Sequence, residues 1–210
     1  MDKIVDGVLK FKSEVFPGRK DLFNDLASGQ SPEVLMITCA DSRIDPGMIT
    51  QAEPGDLFIC RNAGNIVPPH SNHTGGNTAS IEFAVAVLGV TDIVVCGHTD
   101  CGAMKGAINP EALTELPHVS NWLAHSKAAV AVAKRKNPSL DGKDLLKAVT
   151  EENVLLQLQH LKTHPVVAAG LAEGKIRLHG WVYDIGHGEI LAYDAGTDSF
   201  APLAGEQAVA

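Results

Sequence analysis

The apolar positions Ile4, Val5, Val8, Leu9, Phe11 and Val15 recur near helical spacing and predict an N-terminal amphipathic helix over 4–16, broken at Pro17-Gly18. A second short helix over 19–27 carries Leu22, Phe23 and Leu26 on one face and stops at Ser28-Gly29, a left-handed end signal. The pattern then changes period. Val34 to Cys39 is an apolar run suited to a strand covered on both faces, and Leu57 to Cys60 and Ile93 to Gly97 repeat it. A short helix is expected near Pro46 to Gln51. The stretch from Ala79 to Gly89 is apolar almost all round, which predicts a helix buried on several sides, in the core or at a subunit interface. Helical patterns follow from Gly102, across 117–136 and across 141–161, the last ended by His164-Pro165. Ile176 to Asp184 and Glu189 to Tyr193, joined by Gly186-His187-Gly188, read as a hairpin at a sheet edge.

Strands alternating with helices and closing on a hairpin predict an α/β fold: a central, mainly parallel β-sheet with an antiparallel edge strand, flanked by helices. The chain is read as a single domain over 1–210, with 1–28 a helical arm and 33–194 the α/β core. An arm with an apolar face in so short a chain is expected to pack on a partner subunit.

Composition narrows the function classes. Hydrophobic residues make up 45% and charged residues 20%, which excludes disorder as the main state. A formal charge of −8 argues against nucleic acid or anionic membrane as partners, since both need basic surface. No apolar run approaches a membrane span, and Met1-Asp2-Lys3 leads into an amphipathic pattern instead of a cleavable apolar segment. The reading is cytoplasmic, with association to a microcompartment left open. Four cysteines, at 39, 60, 96 and 101, are too few for a disulfide scaffold and are expected as reduced thiols.

The chemistry lies at strand ends. Gly97-His98-Thr99-Asp100-Cys101-Gly102 follows the third strand and sets an imidazole and a thiol three positions apart, at the mouth of a helix. Taken alone, the pair reads first as a turn histidine beside a small buried cysteine. Cys39 ends the first strand, and loops beyond strand carboxyl ends form the crevice of open parallel sheets. Cys39, His98 and Cys101 together make a three-ligand set for Zn²⁺ with one position open, the mark of catalytic zinc. Asp41 and Arg43 follow Cys39 at a spacing that lets the guanidinium grip the carboxylate and keep it ionised, either as a catalytic pair or as a loop salt bridge. Cys60 and Cys96 sit inside apolar strands and read as core. His70 and His73 lie in a Gly/Pro/Asn-rich loop and read as solvated.

Cys39-Ala40-Asp41-Ser42-Arg43 with Gly97-His98-Thr99-Asp100-Cys101-Gly102-Ala103 resembles the two zinc-site motifs of the β-class carbonic anhydrases, and the surrounding elements match from about Ile4 to Tyr193. The resemblance implies reversible hydration of CO2 to bicarbonate and a proton by zinc-hydroxide attack. It implies one Zn²⁺ per subunit on Cys39, His98 and Cys101, with Asp41 and Arg43 as the catalytic dyad. It also implies self-association as a homodimer or higher oligomer. Gln30-Ser31-Pro32 is similar to the plant-type subgroup, in which the glutamine reaches substrate across a dimer interface; within the chain alone, Gln30 reads equally as a helix-end hydrogen-bonding group. Phe58 and Phe83 match aromatic positions of the CO2 pocket and are otherwise core aromatics. Gly102 could give its backbone N–H to a bound anion. Met36 stands where another subgroup has a tryptophan of an inhibitory bicarbonate site. The alternatives on the same scaffold are a CS2 or COS hydrolase and a catalytically silent zinc-binding scaffold protein.

Overall fold

A computed structural model of the chain describes residues 1–72 and 75–203. His73 lies outside the described residues. The chain forms two compact units, Met1–Ser31 and Pro32–Ala210.

The first unit is helical. Helix α1 (Asp2–Lys10) is followed by one π-helical stretch, Phe11–Val15, and by the short α2 (Phe16–Gly18), before α3 (Lys20–Leu26). The expected break at Pro17 therefore comes two residues late, at Arg19. The wide turn explains this: the Phe16 N–H reaches back to the Phe11 carbonyl, so the helix opens where proline would otherwise collide with the preceding turn. Phe11, Phe16 and Phe23 form an aromatic cluster inside the unit, with centroids 5.4 to 6.2 Å apart. The apolar stripe of α1 stays exposed at Ile4, Val8 and Leu9.

The second unit is built on a six-stranded sheet, β1 (Val34–Cys39), β2 (Leu57–Asn62), β3 (Asp92–His98), β4 (Arg177–Asp184), β5 (Glu189–Asp194) and β6 (Ser199–Pro202), in the order β2-β1-β3-β4-β5-β6. The first four strands of that order are parallel and the last two antiparallel. The sheet class is as expected, and β6 adds a second antiparallel strand outside the hairpin.

The connecting helices are α4 (Pro46–Thr50), α5 (Gly76–Ala86), α6 (Gly102–Ile108), α7 (Pro117–Leu123), α8 (Lys127–Lys136), α9 (Gly142–Leu161) and α10 (Pro165–Ala172). Two of them correct the sequence expectation. The 117–136 pattern is two helices joined by a 3-10 turn, Ala124–Ser126, and Pro165 opens a new helix as its first residue as well as ending the previous one. The all-round apolar α5 buries only Ile81 and Ala84, leaving Phe83 within it and Val87 just after it exposed.

Leu35, Ile37, Ile93, Val95, Leu178 and Val182 on one sheet face form the main core with Ile81, Val154, Leu158 and Val167 from the helices. Gly97 lets α9 lie on β3: a Cβ there would come within 3.0 Å of Val154 Cγ2 and 3.3 Å of Thr150 Cγ2. No helix among the described residues is long and apolar enough to cross a membrane.

Candidate metal centre

Strand order places the chemistry. From β1 the chain moves one way to β2, and from β3 the other way to β4, so the order reverses between β1 and β3. Ligand crevices of open α/β sheets form at this switch, beyond the carboxyl ends of the strands. Cys39 is the last residue of β1 and His98 the last of β3, and the two strands are hydrogen-bonded neighbours. Cys101 follows as the N-cap position of α6.

One ligand atom each from Cys39, His98 and Cys101 lie within 4.8 Å of one another, and all three residues are buried. Next to the Thr99 carbonyl at 2.9 Å, His98 Nδ1 serves as the donor, which leaves Nε2 to face the sulfurs. That Nε2 is buried without a hydrogen-bond partner. An orphaned imidazole nitrogen beside two thiols fits a soft divalent cation such as zinc. The thiols behave as a pair. Cys101, as hydrogen-bond donor, holds Cys39 well below the ordinary thiol range, helped by His98 and by the Gly64 and Asp41 N–H groups. Cys101 is correspondingly pushed up by its bond to Cys39 and by burial.

Asp41 and Arg43 stand beside this trio. Arg43 donates from Nε to Asp41 Oδ1 at 2.9 Å and from Nη2 to Oδ2 at 2.8 Å, and its backbone N–H adds a third bond to Oδ1 at 3.0 Å. The guanidinium, then the backbone N–H, hold the Asp41 carboxyl far below the usual carboxylate range. Asp41 Oδ2 lies 3.8 Å from His98 Nε2.

Several residues complete the site that sequence reading did not single out. Arg61, at the end of β2, donates to the carbonyls of Cys39 and Asp41 at 3.0 and 2.8 Å and fixes the loop bearing the dyad. The Gly64 N–H points at Cys39 Sγ at 3.4 Å. Behind Gly64, a buried network of Asn153, Ser126 and Gln157 holds the 62–67 loop against α9. Asp100, between the two ligands of the motif, contacts Arg43 from the other side. The visible signal for Asp100 was its place inside the motif.

Phe58 and Phe83 form their own pair, with centroids 6.0 Å apart, and Phe83 is exposed. Gly102 opens α6 and is exposed, and Gln30 is exposed in the first unit. Cys96 is fully buried and pushed up to about 12 by desolvation, an inert thiol as expected. Cys60 is raised by burial too, and its thiol donates to Asn77 Oδ1.

Residues 34–190 match the family model described as carbonic anhydrase, about three quarters of the chain. The chain is 48% identical over 204 residues to a carbonic anhydrase of Pseudomonas aeruginosa, covering 97% of this chain and 92% of that protein. Its fold superposes on the structure of the β-carbonic anhydrase CcaA with a TM-score of 0.94 at 44% identity, covering 97% of this chain and 99% of the other. The chain belongs to the β-carbonic anhydrases. A structure from Sordaria macrospora, described as one of two tetrameric β-carbonic anhydrases, aligns with a TM-score of 0.83 at 31% identity over 91% of this chain and 95% of its own. The β-carbonic anhydrase sheet is thus the frame that brings Cys39, His98, Cys101 and the Asp41–Arg43 pair together here.

Proposed function

We propose that the chain catalyses the reversible reaction of CO2 with water to give bicarbonate and a proton, with Zn²⁺ held by Cys39, His98 and Cys101. Bound there, zinc would supply a Lewis acid that lowers the pKa of a coordinated water toward neutrality. The protein side of the mechanism follows from charge and position. Arg43 keeps Asp41 ionised, so Asp41 offers a permanent hydrogen-bond acceptor at the centre. An acceptor there would receive a hydrogen bond from the hydroxide left once that water has lost its proton and turn the oxygen lone pair toward CO2, which is orientation in place of proton abstraction. The observation that carries this reading is the approach of Asp41 Oδ2 to His98 Nε2 at 3.8 Å.

Phe58 and Phe83 serve in this reading as apolar wall for CO2, and the first-turn N–H of Gly102 as donor to bicarbonate. Gln30 is the donor to substrate from a partner subunit. The chain works as a homodimer or higher oligomer in the cytoplasm. The exposed stripe of α1 supports self-association, since an apolar helix face of this kind is a docking surface.

Stopped-flow hydration of CO2 by the zinc-loaded protein tests the proposal. Wild type is expected to turn over at neutral to alkaline pH, and Asp41→Ala to lose about 10²-fold in kcat/KM. An inactive wild type would sink the reading, and a fully active Asp41→Ala would sink the role of Asp41.

A further inference from the structure

Arg43 is gripped from two sides. Besides Asp41, its Nη1 donates to Asp100 Oδ2 at 3.1 Å and its Nη2 to the Asp100 carbonyl at 3.2 Å. Four of the five guanidinium hydrogens are thus engaged. Lys105, from the first turns of α6, holds the other oxygen of Asp100 at 2.5 Å. Charge alternates along the row Asp41, Arg43, Asp100, Lys105. The backbone of Asp100 is left-handed, with φ of 59°. Asp tolerates that region and β-branched residues do not, so the loop turns back here and presents both carbonyl and carboxylate to Arg43.

The location of this second grip matters more than its strength. Asp100 and Lys105 side chains are 57% and 52% exposed, so the ion pairs add little to stability. Asp100, however, is one of the two residues between His98 and Cys101. Asp41 alone would leave the guanidinium tied to its own loop and free to swing with it. We propose that Asp100, anchored by Lys105, is a positioning residue that holds Arg43 from the ligand loop and thereby fixes Asp41 in register with His98. The inference rests on the reading of this centre as the CO2-hydration site. It extends the Asp–Arg pair to a row of four charges that couples the dyad to the ligand loop.

Asp100→Gly removes the carboxylate while suiting the positive φ, and Asp100→Asn keeps an acceptor for Arg43. Both are expected to retain one zinc per chain and a melting temperature within about 2 °C of wild type. Asp100→Gly is expected to lose about 10-fold in kcat with KM changed less than about 2-fold, and Asp100→Asn about 3-fold or less. Lys105→Met, which releases Asp100 without touching Arg43, falls between them. The decisive comparison is the pair with Arg43→Ala: Asp100→Gly should cost nothing further in that background, because there is nothing left to position. An undiminished second loss, zinc loss in Asp100→Gly, or a kcat equal to wild type would overturn the proposal. A crystal structure of Asp100→Gly reads the same point without activity. A displaced Arg43 supports positioning and an unmoved one refutes it, even if wild type fails to hydrate CO2 and the functional reading falls on its own.

Discussion

Asn153, buried on α9, donates from Nδ2 to the Gly64 carbonyl at 3.1 Å, while the Gly64 N–H faces the sulfur of Cys39. A helix residue far along the chain thus sets the environment of a candidate metal ligand through one intervening residue. Asn153 Oδ1 also accepts from Ser126 and Gln157. Asn153→Ala leaves three buried groups without partners, and the expected loss is about 2–4 kcal/mol, read as a shift in the urea midpoint. Zinc affinity, measured by competition with a chromophoric chelator, is expected to fall roughly 10-fold, because groups behind a ligand tune the metal.

Gly97 allows no side chain against α9. Gly97→Ala should cost about 1–3 kcal/mol by overpacking against Val154 and Thr150. Adding Val154→Ala should return part of that loss by opening space for the new methyl. The test is a double-mutant cycle by denaturation in which the two changes are distinctly non-additive.

Zinc uptake should release about one proton per site at pH 6. Cys39 is held low and Cys101 high, so the metal-free pair carries one proton that the cation must expel. Calorimetric titration in buffers of different ionisation enthalpy gives the count. Two protons per zinc at pH 6, below the ionisation of a zinc-bound water, would mean that the thiols do not share a charge.

Two histidines behind the loop predict a pH dependence of stability. His160 Nδ1 donates to the Val67 carbonyl at 2.7 Å and His164 Nε2 to the Pro68 carbonyl at 3.0 Å. Burial, opposed by those bonds, lowers both below the ordinary histidine value, with neighbouring His125 and His70 adding repulsion. The unfolded chain therefore takes up protons first as pH falls. Their contribution is complete above about pH 6.5 and is lost progressively below it. Urea midpoints of the metal-loaded protein at pH 7.5, 6.5 and 5.5 should decline more steeply for wild type than for a His160→Gln/His164→Gln variant.

The parts of the site legible in the sequence were those set by local chain geometry. Cys39 and His98 end apolar runs, so their place at strand mouths follows from the pattern, and Cys101 follows by spacing. The supporting contacts span 57 residues for Arg43 and Asp100, 25 for Gly64 and Cys39 and 89 for Asn153 and Gly64, and no periodicity encodes such pairings. The fold behaved likewise. The parallel strands β1, β2 and β3 carry continuous apolar runs, whereas the parallel β4 mixes polar and apolar positions and β6 is short, with Phe200 as its one large apolar side chain. Pro17 gave a break signal that the π turn absorbed, and Pro165 marked both an end and a start.

The sulfurs of Cys39 and Cys101 belong to an apolar cluster with Met104, Ala133, Leu146 and Val149. The walls that hold the thiols in place also cover most of their surface, leaving Cys39 5% and Cys101 1% exposed, so an oxidant meets little of either sulfur. Resistance to oxidation is then a property of side-chain packing as much as of the compartment. A truncation such as Leu146→Ala, remote from any proton transfer, would shorten the working life of the protein in air before it slowed a single turnover.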